Sequence, residues 1–456
     1  MRTPSKTTIL TSLTILQPAL SSPSSSSPSS SPGQCATGNF PAPFNPNLTT
    51  CLDSTILQPR AWYPWTHRPH CVEAEDSPRC VFTRAGAHSG ISVVTTPDEA
   101  AEALNPFRHN LHDDNSNPTT PASRRPYEVR DIPGKGKGAV ATRRIAKGTA
   151  VLVDRAAVLA AVEYPAEVMR EEVQELLALA AAQLPDPEAV QGLAKRGPSR
   201  SGSKKNRVDG GGDDEDDGGE EEEEAVEMSE MEDIMVTNTF AVPVGGKEYM
   251  ALFPNLARFN HDCKPNAFIN FSQKTLAIYV WAARDIEPGE EITITYTTAG
   301  LTSKERQETL EHVWGFKCQC SLCAAPPEAV QASDTRREEI RFLQSKVLQL
   351  AQHQEFQKAV EAAETMFGLV EEEDLTDLMG GLYEVPARLY YHVGNLDKAL
   401  EYTLKVKREM EFFGPSEETA QAKLDMLKGV IERIEREIKE KENQETYQKE
   451  DGQNEE

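Results

Sequence analysis

The chain has 456 residues and a formal net charge of −25, with 73 acidic residues against 48 basic ones. That length suits roughly two to four domains with a real core, and the acidic balance argues against nucleic acid as a direct partner. Of the acidic residues, 15 lie within 209–233, where no Lys or Arg occurs, and without that tract the charge falls to −10, so the excess is local.

Residues 1–34 read as a leader. Arg2 and Lys6 precede a short apolar run at 9–16 that Thr and Ser interrupt, a pattern that fits either a disordered leader or a secretory signal peptide. Residues 21–32 are nearly all Ser and Pro, a composition that builds no core. Residues 35–104 form a small Cys-containing region with a strand at 91–94 and a helix start at 97–100. Its Cys35, Cys51, Cys71 and Cys80 could pair as disulfides in an oxidising compartment. The scatter of His67, His70, Cys71, Cys80 and His88 matches no trusted metal spacing. Residues 105–126, with Pro118, Pro121 and Pro126, read as a linker. No run reaches the ~18 apolar residues of a membrane span.

Structure resumes at 127. Strands at 127–130 and 150–153 flank Gly134, Gly136 and Gly138, which suit a tight turn or a close backbone approach. A helix rich in Ala, Leu and Glu covers 167–184 and stops before Pro185. An insertion of about 160–235 follows, and its Gly-, Ser-, Lys- and then acid-rich part, 195–233, is expected to be disordered. Arg258-Phe259-Asn260-His261-Asp262-Cys263-Lys264-Pro265-Asn266 is a dense polar cluster set before an apolar strand at 267–271. Further strands are expected at 276–281 and 291–296, around a turn at Pro288-Gly289. Cys318, Cys320 and Cys323 have metal-ligand spacing, but three thiolates leave a tetrahedral Zn²⁺ one ligand short. The fourth must come from elsewhere, with Cys263 and His312 as candidates.

From 334 to 443 the chain reads as helical. Phe356, Ala359, Val360 and Ala363 share one helix face, and 387–402 reads as two helices joined at Gly394-Asn395. The Gly-x-Leu-x-x-Ala spacing there is similar to tetratricopeptide hairpins, which would make this region a candidate surface for a protein partner. Residues 444–456 read as a disordered tail.

Residues 127–325, the insertion apart, resemble the SET-domain protein methyltransferases. Three motifs carry the likeness in the family's order: a Gly-x-Gly stretch at 136–138, the Asn-His-x-Cys-x-Pro-Asn run at 260–266, and Gly-Glu-Glu-x-x-x-x-Tyr at 289–296 before Cys-x-Cys-x-x-Cys. Asp262 stands where many members carry Ser. The likeness extends to the SET-and-MYND subfamily, although the cysteines here are too few for a MYND zinc module.

The resemblance implies a β-rich SET fold closed by a post-SET zinc site; with the all-α C-terminal domain read above, whose hairpin spacing is TPR-like, the expected fold class is α+β. It implies S-adenosylmethionine as cofactor, with Lys135, Gly136, Lys137 and Gly138 around its methionine part, Asn260 at the amino group, and the His261 backbone and Phe316 at the adenine. Tyr296 corresponds to the catalytic tyrosine, and Tyr279 and Phe271 are candidates for the wall of a lysine channel. Cys263 would join Cys318, Cys320 and Cys323 on Zn²⁺, His312 being the alternative. The implied function is methyl transfer to a protein lysine, histones among the candidates, in the nucleus or cytoplasm; a working signal peptide would instead imply the secretory pathway. The rival reading is a non-catalytic SET and helical-repeat scaffold that acts by protein interaction.

Overall fold

A computed structural model describes residues 65–86, 90–103, 120–195, 228–273, 275–375, 382–413 and 418–453. The expectations for the leader, for Cys35, Cys51 and His88, for most of the 105–126 linker and for the acid-rich tract at 209–227 lie outside these residues.

The fold rests on a six-stranded sheet in the order β1-β2-β3-β7-β9-β8, formed by β1 (His70–Val72), β2 (Arg79–Arg84), β3 (Ile91–Thr95), β7 (Val158–Ala161), β8 (Thr239–Val244) and β9 (Lys247–Leu252). Its β3–β7 pair is parallel and its other pairs are antiparallel. Successive side chains point to opposite faces, and here both faces are covered. Phe82, Val93, Leu159 and Ala251 enter one apolar cluster, while Val81, Val94, Val158 and Leu252 enter another. Burial on both sides fits β3, Ile91–Thr95, in which every residue is buried.

Two expectations change here. Residues 70–95 are not a separate N-terminal region, because three strands of the main sheet come from them and Trp65, Cys80 and Phe82 lie in its core. Cys71 and Cys80 face each other across β1 and β2 and form a disulfide. The insertion is also ordered at both ends. Helix α2 (Arg170–Ala182) and a helix at Glu230–Asn238, started by Ser229 accepting from the Glu232 N–H, bury Leu176, Leu177, Met231, Ile234 and Met235 against the second face of the sheet. Of the stretch expected to be disordered, 195–233, residues 230–233 are therefore helical.

On the first face sit three smaller units. Strands β4 (Tyr127–Ile132) and β5 (Gly136–Ala141) make an antiparallel hairpin. β6 (Ala150–Arg155), β11 (Ala267–Ser272) and β12 (Ala277–Ala282) form a three-stranded sheet. β10 (Asn260–His261) pairs in parallel with β13 (Thr293–Ile294). The strand expected over 291–296 is thus two residues long; Ile292 instead donates to the Ala139 carbonyl of β5. Asp154, fully buried, secures the turn before β10 by accepting from the Asn255 and Leu256 N–H groups and from the Asn255 amide.

Numbered in chain order with α1 at Pro97–Ala103, α3 at Glu188–Gln191 and α4 at Glu230–Asn238, the remaining helices are α5 (Ser303–Trp314), α6 (Pro327–Gln352), α7 (Phe356–Glu372), α8 (Glu384–His392), α9 (Leu396–Phe413) and α10 (Glu418–Gln453). A capping box between Thr302 and Glu305 opens α5, and Gly315, at φ 76°, closes it. The expected hairpin is present as α8 and α9, turning at Gly394 with φ 75°. Helix α10 runs to Gln453, so the tail expected to be disordered from 444 is helical over most of its length.

The helical region meets the β-rich part through buried charge. Arg337 Nε donates to Glu373 Oε2 at 2.9 Å and its Nη2 to the Cys263 carbonyl at 3.4 Å, while Glu373 also accepts from Arg336 and Ser333. Glu373→Gln keeps the shape but strands Arg337 without its counter-ion, so chemical denaturation should show a loss of about 3–5 kcal/mol. Glu372→Gln, on a carboxylate that is 59% exposed, should change stability by no more than about 0.5 kcal/mol.

Candidate functional site

Three chain segments converge where β10 lies beside β13. Strand β5 brings Gly138, the polar cluster brings Asn260 and His261, and the residues after β13 bring Tyr296. Asn260 donates from its amide to Glu291 Oε1 at 2.8 Å and to the Lys137 carbonyl at 3.2 Å. Glu291 holds Lys135 Nζ at 2.8 Å with its other oxygen. One carboxylate thus ties the glycine turn to the polar cluster.

Gly138 is required at this point. A Cβ there would lie 2.5 Å from Ile132 Cγ1, 2.8 Å from Asn260 Nδ2 and 3.0 Å from Glu291 Oε1, so any side chain would displace the Asn260 amide. Lys137 contributes only its carbonyl, since its ammonium pairs with Asp131 on the outer side of the hairpin. Gly136 sits at φ 72° with open space around it, a backbone conformation that favours glycine.

His261 is buried and links two halves of the site. Its Nδ1 accepts from the Tyr296 N–H at 3.0 Å, which leaves the proton on Nε2, 3.3 Å from Cys263 Sγ. Burial pushes the imidazole down to about 4, so the ring is neutral at physiological pH. Tyr296 donates its hydroxyl to the Phe259 carbonyl at 2.8 Å. Burial also raises its pKa, so the phenol keeps its proton. Around Tyr296 stand His261 and Trp314, with ring centroids at 5.4 and 5.1 Å, and Phe316 lies 6.3 Å from His261. Trp314 is itself held by Nε1 donating to the Thr237 carbonyl at 3.0 Å.

Behind this aromatic group lie four thiols. The sulfurs of Cys263, Cys318, Cys320 and Cys323 are all within 4.8 Å of one another, and Cys263 is 3.9 Å from Cys318 and 3.5 Å from Cys323. Zn–S bonds of about 2.3 Å in a tetrahedron set sulfur atoms roughly 3.8 Å apart, so this cluster has the size and donor set to hold one zinc ion. His312 is not in the cluster. Of the two channel-wall candidates, Phe271 packs edge-on against Phe253 in the sheet core and Tyr279 stacks on Trp281. Reading the sequence did not single out Trp314 or the Phe259 carbonyl, and it named Glu291 only within the Gly-Glu-Glu motif. Trp314 carried a usable signal, two residues before Phe316; the pairing of Glu291 with Lys135, 156 positions away, carried none.

The SET domain family matches residues 136–297, from the glycine turn to one residue beyond Tyr296. The chain carries a SET domain. That SET domain is similar to the histone-lysine N-methyltransferase set5 of Schizosaccharomyces pombe, 39% identical over 19% of this chain and 27% of the relative. It is also similar to the histone-lysine N-methyltransferase SMYD3 of Homo sapiens, 40% identical over 16% of this chain and 17% of the relative. The N-lysine methyltransferase SMYD2-B of Danio rerio is 31% identical over 19% of this chain and 20% of that relative. The alignments therefore span about a quarter or less of these curated relatives, and the chain is SET- and SMYD-like over its SET domain.

Cys263→Ser should lower both the bound zinc found by metal analysis and the melting temperature of the SET domain. Unchanged zinc content would remove Cys263 from the ligand set.

Proposed function

We propose that this protein is a SET-type protein-lysine N-methyltransferase that uses S-adenosylmethionine and closes its site with zinc held by Cys263, Cys318, Cys320 and Cys323. The observation that carries this reading is the convergence of Gly138, Asn260 and Tyr296, from three separated segments, at one partly buried place. The names of the relatives point the same way and make histones the first substrates to test. No helix among the described residues is long and apolar enough to cross a membrane, and a nuclear or cytoplasmic location follows from the relatives' names.

S-adenosylmethionine supplies a methyl group on a sulfonium sulfur. The residues of the chain then have to bind, align and exclude water. Gly138, the Lys137 carbonyl and the Asn260 amide bring a close backbone approach, an acceptor and a donor to one place, which suits a polar amino-acid moiety. Phe316, beside His261, offers an aromatic face to a flat purine ring. Transfer in line with the leaving sulfur depends on alignment at near-attack distance, and this positioning supplies most of the gain.

The acceptor lysine must lose its proton to become nucleophilic. Tyr296 and Trp314 make an aromatic wall that attracts the ammonium group as it enters, and desolvation there lowers its pKa. The Tyr296 hydroxyl, protonated and fixed by the Phe259 carbonyl, is a preset dipole at the reacting amine. The net charge of −25 favours Lys-rich substrates in the encounter.

A ligand at a hundred times its dissociation constant stabilises the native state by ~2.7 kcal/mol. S-adenosylmethionine should therefore raise the melting temperature of the zinc-loaded protein, and Gly138→Ala and Asn260→Ala should abolish the shift. Tyr296→Phe should keep the shift and lose about 10²-fold or more in methyl transfer to histone mixtures, measured with labelled methyl donor. A wild-type protein that holds zinc yet shows no shift would argue for the non-catalytic scaffold.

A further inference from the structure

Two arginines lie wholly inside the protein where the four-cysteine cluster meets the helical region. Arg306 on α5 and Arg337 on α6 are each 1% exposed, the two largest fully buried side chains among the described residues. Arg337 is accounted for by Glu373, Ser333 and the Cys263 carbonyl. Arg306 is not. Its Nη1 donates to the Leu301 carbonyl and lies 4.0 Å from Asp334 Oδ1, but that carboxylate already accepts from Ser303 N and Oγ. Its Nε and Nη2 have no hydrogen-bond partner at all.

A buried guanidinium with two unmatched donors is among the costlier arrangements a fold can contain. The surroundings add to the problem, because Arg337 is a second buried cation that repels it electrostatically. Glu373 is fully buried and already faces both Arg336 and Arg337. Asp334 lies 4.0 Å from Arg306 and Glu372 pairs with Arg336, so carboxylates match the arginines in number; what Arg306 lacks is acceptors for Nε and Nη2. Besides Asp334, the Cys263 and Cys323 thiols interact electrostatically with Arg306.

The geometry points to Arg306 as the counter-cation of a four-thiolate zinc centre, with Nε and Nη2 donating to the metal-bound sulfurs of Cys263 and Cys323. This inference rests on the zinc reading above. Zn²⁺ with four thiolates carries a net charge of about −2, and Arg306 offsets part of it. The unmatched donors then gain acceptors, and the sulfurs, which in a closed site have no water, gain hydrogen bonds. Partners behind the ligands hold metal-site geometry, and their loss typically lowers metal affinity 10–100-fold. Because α5 also carries Trp314, the same contact couples metal retention to the aromatic wall beside Tyr296.

The test uses full-length protein, with zinc affinity and release rate followed by a chromophoric chelator and the sulfur-to-metal charge-transfer band followed in the cobalt-substituted form. Arg306→Met should retain the ligands yet bind zinc 10–100-fold more weakly and release it faster. Arg306→Lys, which keeps the charge but loses the two-donor fork, should fall between, with a shifted charge-transfer band. Ile434→Ala, a core truncation in α10 away from the cluster, should leave zinc affinity unchanged while lowering stability. Wild-type zinc affinity in Arg306→Met would overturn the inference, as would equal zinc loss in Ile434→Ala. Should Arg306→Met not fold, an unshifted cobalt band in Arg306→Lys would overturn it instead. Absence of zinc from reduced wild-type protein is a different result and would remove the zinc reading itself.

Discussion

The four sulfurs gather pieces of chain that lie far apart in sequence. Cys263 lies two residues after His261, whereas Cys318, Cys320 and Cys323 follow α5 and lead into the helical region. Joining them fixes where Phe316 and Trp314 stand relative to Tyr296, because both aromatics lie within the five residues before Cys318. Without that closure, the short parallel pair of β10 and β13 would have only four residues of pairing to keep the site in register. Structural zinc contributes about 10–16 kcal/mol in small domains, as much as the roughly 5–15 kcal/mol net stability of a typical protein. Metal bound here would thus decide whether the site exists, as well as how well it is aligned.

A second constraint runs through Glu291. Its carboxylate meets Lys135 on one oxygen and Asn260 on the other, so the glycine turn and the polar cluster are held by one side chain from a third segment. The tight fit around Gly138 follows from this, since the Asn260 amide and the Glu291 carboxylate already fill the space a side chain would need. His261 plays a comparable part on the other side. It spans from the Tyr296 backbone to the Cys263 sulfur, and being neutral it can accept on one nitrogen and donate on the other.

The helical region is joined to the site by buried ions rather than by an extended apolar seam. Replacing such a pair with well-packed apolar groups would often stabilise a protein, so its presence is weak evidence for stability. What it provides is a defined docking geometry: Arg337 reaches the Cys263 carbonyl only when Glu373, at the end of α7, is in place. Position in the helical bundle is thereby tied to the loop that carries Asn260 and His261.

Much of this was legible in one dimension. The Cys-x-Cys-x-x-Cys spacing, the Asn-His pair and the Gly-Glu-Glu-to-Tyr interval are short-range patterns, and the fold brings Asn260, His261, Glu291 and Tyr296 together beside the four cysteines. The α8–α9 hairpin was legible for the same reason, because helix periodicity and a turn glycine act within one or two turns of chain. What tertiary structure alone decided involves partners far apart in sequence. The 35–104 region read as separate until β7 paired with β3, Phe271 read as a channel residue until Phe253 packed against it, and nothing in the sequence set Arg306 apart. Sequence specifies which chemical groups are available and the local conformation that carries them. Which of those groups face one another across 30 to 150 residues is set by how sheets and helices bury their apolar faces, and no local spacing records it.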